Sequence, residues 1–147
     1  MTYSARTDIS LKQEIIQTLP RLPEELGLRF VEDLYLSEHA GDSYVTLQSG
    51  GLLVRFVRDR GQVWVEVAPV TAPTSWLPVT FVLEALQGKS PQVQFNLLAA
   101  ASLLRDHFSE LEQALGPRLS ETQREMERLK AERLDVLMRS PGKLADS

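Results

Sequence analysis

Residues 52–68 read LLVRFVRDRGQVWVEVA, and this stretch decides the fold class. On either side of Asp59-Arg60-Gly61, apolar β-branched and aromatic residues alternate with arginine, tryptophan and glutamate. Such alternation has the two-residue period of a strand with one covered face. Two strands, Leu52–Arg58 and Gln62–Ala68, are therefore predicted to pair as an antiparallel hairpin. The triplet suits a three-residue loop with Gly61 in the left-handed position. Register then decides the cross-strand partner of Arg55. A three-residue loop sets it opposite Val65, and a two-residue loop sets it opposite Glu66.

The strand pattern extends towards the N-terminus. Gly50-Gly51 supplies a tight turn, and Tyr44–Gln48 alternates, with Val45 and Leu47 on one side. Leu28–Leu36 is a further strand candidate, interrupted by Glu32 and Asp33, and the polar segment 37–42 joins the two as a loop. The prediction is an antiparallel meander of three or four strands over about residues 28–68.

Helical spacing takes over on both flanks. Ser10 and Gln13 have the spacing of a capping box, opening a helix over 10–19 with Leu11, Ile15, Ile16 and Leu19 on one face. Pro20 and Pro23 stop or kink it, and Gly27 ends the following turn. After the hairpin, Ala68–Pro78 contains three prolines and two threonines and reads as a connection. Thr74 or Ser75 is placed to cap a helix over about 76–86, with Gly88 beyond its end. Residues 95–115 form a long amphipathic helix, stopped by Gly116-Pro117. Ser120 with Gln123 then opens a last helix over 121–139. The chain thus reads as one α+β domain over 1–140, a meander packed against helices with a C-terminal helical hairpin, followed by a disordered tail, 141–147. Residues 1–9 read as a loose arm.

The last helix differs in kind. Residues 121–139 carry five acidic and five basic side chains around a thin apolar stripe that includes Met126, Leu129, Leu134 and Leu137. Surface ion pairs at three- and four-residue spacing contribute only ~0.2–0.5 kcal/mol each, so packing of the stripe must supply most of its order. It packs on the helix before it, or on its counterpart in a second chain.

Composition bounds the function. With 147 residues, the chain suffices for one real core, and 43% apolar with 24% charged residues is ordinary for a globular domain. A net charge of −4 speaks against a general nucleic-acid binder, which needs a basic face. No apolar run approaches the ~18–20 residues that span a bilayer. The first residues lack the apolar core of a secretory signal, which points to the cytoplasm. The absence of cysteine excludes disulfides and thiolate chemistry in this chain.

Catalytic signatures are absent: there is no GxSxG, no GxxxxGK[ST], no GxGxxG and no HExxH. Glu38, His39 and Asp42 do not make a recognisable metal site, so no catalytic, cofactor-binding or metal residues are assigned. The stretch Glu24–Asp42 holds six carboxylates against a single arginine, Arg29, and could face a basic partner. The candidates for interaction are Arg55, Arg58, Arg60, Trp64 and Glu66 on the hairpin, with Met126, Leu129 and Leu137 on the last helix. Guanidinium groups bind carboxylates and phosphates with planar geometry, and tryptophan offers a large rigid contact area. On a plainer reading, Arg55 pairs with a cross-strand carboxylate while Arg58 and Arg60 are solvated turn residues. Trp64 alternates with Val63 and Val65, so one of these sets faces away from the core unless helices cover both faces. Trp76 reads as a core plug or staple at the start of the helix after the proline-rich connection.

The run Leu53–Pro69, LVRFVRDRGQVWVEVAP, resembles segments of short uncharacterised bacterial proteins, some of them immunity-like proteins of toxin systems. The resemblance covers about residues 28–88. It implies a bacterial cytoplasmic domain of unknown function and favours protein binding, and it carries over no site residues. The charged helix after Gly116 is not part of that pattern. The expected function is a non-catalytic protein-interaction domain. Its alternatives are an adaptor or homodimer assembling through the last helix, and a small enzyme or ligand-binding domain with an unrecognised pocket.

Overall fold

The computed structural model describes residues 8–36 and 42–139. The expected N-terminal arm (for residues 1–7), the loop carrying Glu38 and His39, and the expected disordered tail lie outside the described residues. In chain order the elements are α1 (Leu11–Thr18), α2 (Leu22–Leu26), β1 (Arg29–Leu36), β2 (Asp42–Ser49), β3 (Leu52–Asp59), β4 (Gln62–Pro69), β5 (Leu77–Pro78), α3 (Val79–Gln87), α4 (Leu97–Leu115) and α5 (Leu119–Arg139). The strands form one antiparallel sheet in the order β1-β2-β3-β4-β5. The fold is α+β, and the meander has five strands rather than three or four.

The hairpin loop is one residue shorter than the triplet suggests. Asp59 pairs with Gln62, leaving Arg60 and Gly61 as the two loop residues, both with positive φ (53° and 82°). Positive φ at both central positions matches the right-handed twist of the flanking strands, which a wider loop would relax. The Arg60 N–H is held by the Asp42 carboxylate at 3.0 Å, which supports the arginine in this uncommon conformation. Register follows: Arg55 stands opposite Glu66, Phe56 opposite Val65 and Val57 opposite Trp64.

Strand alternation then divides the sheet into two faces. Val45, Leu47, Val54, Phe56, Val63, Val65 and Val67 share one face and join the hydrophobic core with residues of α1, α3 and α4. Tyr44, Thr46, Arg55, Val57, Trp64 and Glu66 share the other, and none of them belongs to that core. α1 lies against β1, β2 and β3, and α4 lies mainly against β4. α5 packs on α3 and α4 and so forms a further layer.

The helix starts and stops show which local signals governed. Ser10 caps α1 through a complete capping box with Gln13, as its spacing predicts. Gly27, with φ 63°, ends α2, a five-residue helix where the sequence suggests only a turn. The helix expected from about Trp76 starts at Val79, because Leu77 and Pro78 pair with Val67 and Glu66 as β5. Neither Thr74 nor Ser75 caps it. α4 starts at Leu97 behind an Asn96 cap, whose side chain accepts from the Ala99 N–H at 2.8 Å. α5 begins at Leu119, so Ser120 lies inside the first turn instead of capping it.

Candidate functional site

Rows of cross-strand neighbours build the helix-free face. One row runs Leu34, Tyr44, Val57, Trp64 across β1 to β4. The next runs Glu32, Thr46, Arg55, Glu66, Pro78 across all five strands. The first is apolar and aromatic, and the second places a single cation between two carboxylates. Val57 and Trp64 are half-buried, while Leu34 stays 39% exposed.

Arg55 sits at the centre. The segment after β4 turns back here: the Val70 N–H donates to Gly51 C=O, and the Trp76 ring arrives over the Arg55 guanidinium at 4.1 Å. Tyr44 approaches the same guanidinium at 4.6 Å. Contacts of a guanidinium with ring faces are attractive because the π cloud presents negative charge. Glu66 stands directly across the ladder, yet its carboxylate accepts the Trp64 indole N–H at 3.3 Å and forms no ion pair with Arg55. Glu32 in turn accepts the Tyr44 hydroxyl at 2.5 Å. That hydrogen bond and the nearby negative charge raise the Tyr44 phenol above its ordinary pKa. Both carboxylates of the row are therefore engaged by aromatic side chains.

The other arginines have different fates. Arg58 is 1% exposed and belongs to the core face, which corrects its assignment as a surface contact or a solvated turn residue. Its guanidinium donates to Ile9 C=O at 2.6 Å and lies 3.6 Å from the fully buried Glu14 carboxylate. A buried guanidinium needs compensation, and the Glu14 carboxylate of α1 and the Ile9 carbonyl both contribute it here. Arg60 is exposed at the hairpin tip. Trp76 plugs the outer face over Arg55 instead of filling the core.

Along the β4 edge, beyond the reach of the short β5, lies a cleft of about 570 Å³. Trp64, Val65, Val93, Phe95, Ala100 and Leu103 line part of it, and none of its lining residues is charged. The Val63 N–H donates to Phe95 C=O at 3.1 Å, which draws the 90–96 segment alongside the strand. Phe95 remains 60% exposed. Trp64 thus stands at the corner shared by the open face and this cleft. Sequence reasoning missed Tyr44 and Phe95. The alternation of Tyr44 against Val45 could have flagged the first, whereas nothing local marks the second.

On the last helix, Met126 is buried and Leu129 partly so, which seats the stripe against the chain's own core cluster. Leu137 does not join it. Arg133 pairs with Glu84 of α3 and lies over the Phe81 ring, beside Lys130. Beyond that anchor Leu134, Val136, Leu137 and Met138 are all exposed. Ion pairs Arg128–Glu125 and Arg128–Glu132 run along the outer side of α5.

Among the described residues, no group of three or more His, Asp or Glu side chains is placed to hold a metal ion. None of the described helices is long and apolar enough to cross a membrane. No protein-family model, curated protein or solved structure matches the chain.

Proposed function

We propose that the protein is a non-catalytic interaction domain whose contact surface is the helix-free face of the sheet. The observation that carries this reading is the cluster of Tyr44, Arg55, Trp64 and Trp76 on a face that none of the described helices packs against. Tryptophan, tyrosine and arginine are the residue types that dominate binding energy at protein interfaces. Here they are held by a rigid sheet and by one another, which lowers the entropy cost of presenting them. The uncharged cleft beside Trp64 extends the surface and suits an apolar side chain of the partner. An immunity-like role, plugging a toxin in the cytoplasm of a bacterium, is the specific form this reading takes.

The test is affinity capture with the intact chain from its native host, repeated with Trp64→Ala. Truncating a central anchor costs roughly 2 kcal/mol or more, about a thirtyfold loss of affinity, so the captured partner should vanish from the variant. A partner retained equally by both proteins would sink the assignment of this face.

A second reading rests on the end of α5. Leu134, Val136, Leu137 and Met138 are 61%, 62%, 43% and 75% exposed, an apolar concentration that a monomer leaves in water. Two copies meeting through this end would cover it. Light scattering coupled to gel filtration should then give twice the 16.5 kDa chain mass, returning to one chain in Leu134→Glu. A single-chain mass at all concentrations rules the dimer out.

A further inference from the structure

Arg55 has features that a purely structural arginine lacks. It occupies the middle strand of the sheet, and its guanidinium is fixed between the Tyr44 and Trp76 rings at 4.6 and 4.1 Å. Among the described residues it makes no ion pair or hydrogen bond. Its Nε is buried with no acceptor, whereas neither terminal nitrogen of this half-buried side chain is fully buried. The two carboxylates nearest in the row, Glu32 and Glu66, are occupied by the Tyr44 hydroxyl and the Trp64 indole. A cation is thus held rigidly, with its hydrogen-bonding capacity unspent, at the centre of an aromatic surface.

We propose that Arg55 seats one carboxylate from a partner protein, an aspartate or glutamate side chain flanked by apolar residues. This rests on the reading of the sheet face as the contact surface and specifies what that face recognises. A carboxylate would meet the terminal nitrogens end-on, since the buried Nε leaves no side-on approach. The aromatic walls exclude water from the contact, which strengthens a charge-assisted hydrogen bond. Apolar neighbours of the acidic residue would lie on the row of Leu34, Val57 and Trp64. One guanidinium with its Nε buried offers only its terminal donors, enough for the two oxygens of a carboxylate but few for the three of a phosphate.

The test uses the intact, nitrogen-15-labelled chain and two short probes, acetyl-Leu-Glu-Leu-amide and its glutamine counterpart, with inorganic phosphate as a third. The Arg55 Nε–H and the Trp76 and Trp64 indole N–H signals report on the seat and on the face around it. The glutamate peptide should shift the Arg55 and Trp76 signals and bind about tenfold more tightly than the glutamine peptide. Arg55→Met, which keeps the aliphatic stem, should abolish the difference. Raising the salt on the unmodified chain should shrink it as well, a check that holds even where the variant fails to fold. Equal binding of both peptides with the Trp64 signal moving leaves the contact face standing and overturns the carboxylate seat. No response to either peptide, or a phosphate response at lower concentration than the glutamate peptide, overturns the seat too. Loss of the contact face itself is read separately, from capture with Trp64→Ala.

Discussion

Arg58→Met is expected to destabilise the fold by about 3–5 kcal/mol, although it keeps the length of the arginine stem. Arg58 and Glu14 are 1% and 0% exposed, and Arg58 also holds the Ile9 carbonyl ahead of α1. Removing the guanidinium takes from the fully buried Glu14 carboxylate the cation that lies 3.6 Å from it. The cost comes from keeping a carboxylate buried after this ion pair is gone, more than from the lost attraction itself. The double variant Glu14→Leu/Arg58→Met should therefore recover most of the loss, to within about 1–2 kcal/mol of the parent, because an apolar pair needs no desolvation to be overcome. Urea denaturation of the three proteins measures both values. A single variant costing under about 1 kcal/mol, or a double variant as weak as the single, would show that the pair is not a buried ion pair.

The next largest effect contrasts two neighbours. Phe56→Ala should cost about 3–5 kcal/mol, since the ring is fully buried between Val45 and Val65 and its removal leaves a cavity. Val57→Ala, one residue on, should cost under about 1 kcal/mol, because Val57 lies half-buried on the outer face between Tyr44 and Trp64. The same denaturation experiment decides it. Equal costs would mean that the outer face is as tightly covered as the inner one, and the proposed contact surface would lose its basis.

These two pairs also show what was legible from the residues. Alternation over 52–68 assigns Phe56 and Val57 to opposite faces without further information, since each strand residue points away from the next. It also identifies Arg55 as a companion of Val57, whereas Trp64 joins them only in the register of the two-residue loop, which sets it opposite Val57. Alternation cannot say that Arg58, on the Phe56 face and next to the turn, ends up buried. That depends on α1 laying Glu14 over it and on the Ile9 carbonyl 49 positions away. An arginine beside a hairpin turn is ordinarily solvated, and only the arrival of a distant helix reverses the expectation.

The chain's local signals therefore determined the elements: the strand period, the glycine-bearing turns, the Ser10–Gln13 capping box and the apolar spacing of α4. Each acts over two to four residues, where sterics and hydrogen-bond geometry leave few choices. Tertiary structure decided the rest. It shortened the hairpin loop to Arg60-Gly61, turned Leu77-Pro78 into a fifth strand and moved the start of α3 beyond Pro78. It gathered the helices on one face of the sheet and brought Trp76 onto Arg55. Those outcomes depend on which apolar surfaces meet, a competition among segments far apart in the chain. Of the candidate surface, Arg55 and Trp64 were visible in the sequence, whereas the places of Tyr44 and Trp76 beside them, and the exposure of the face, were settled only by how distant segments packed.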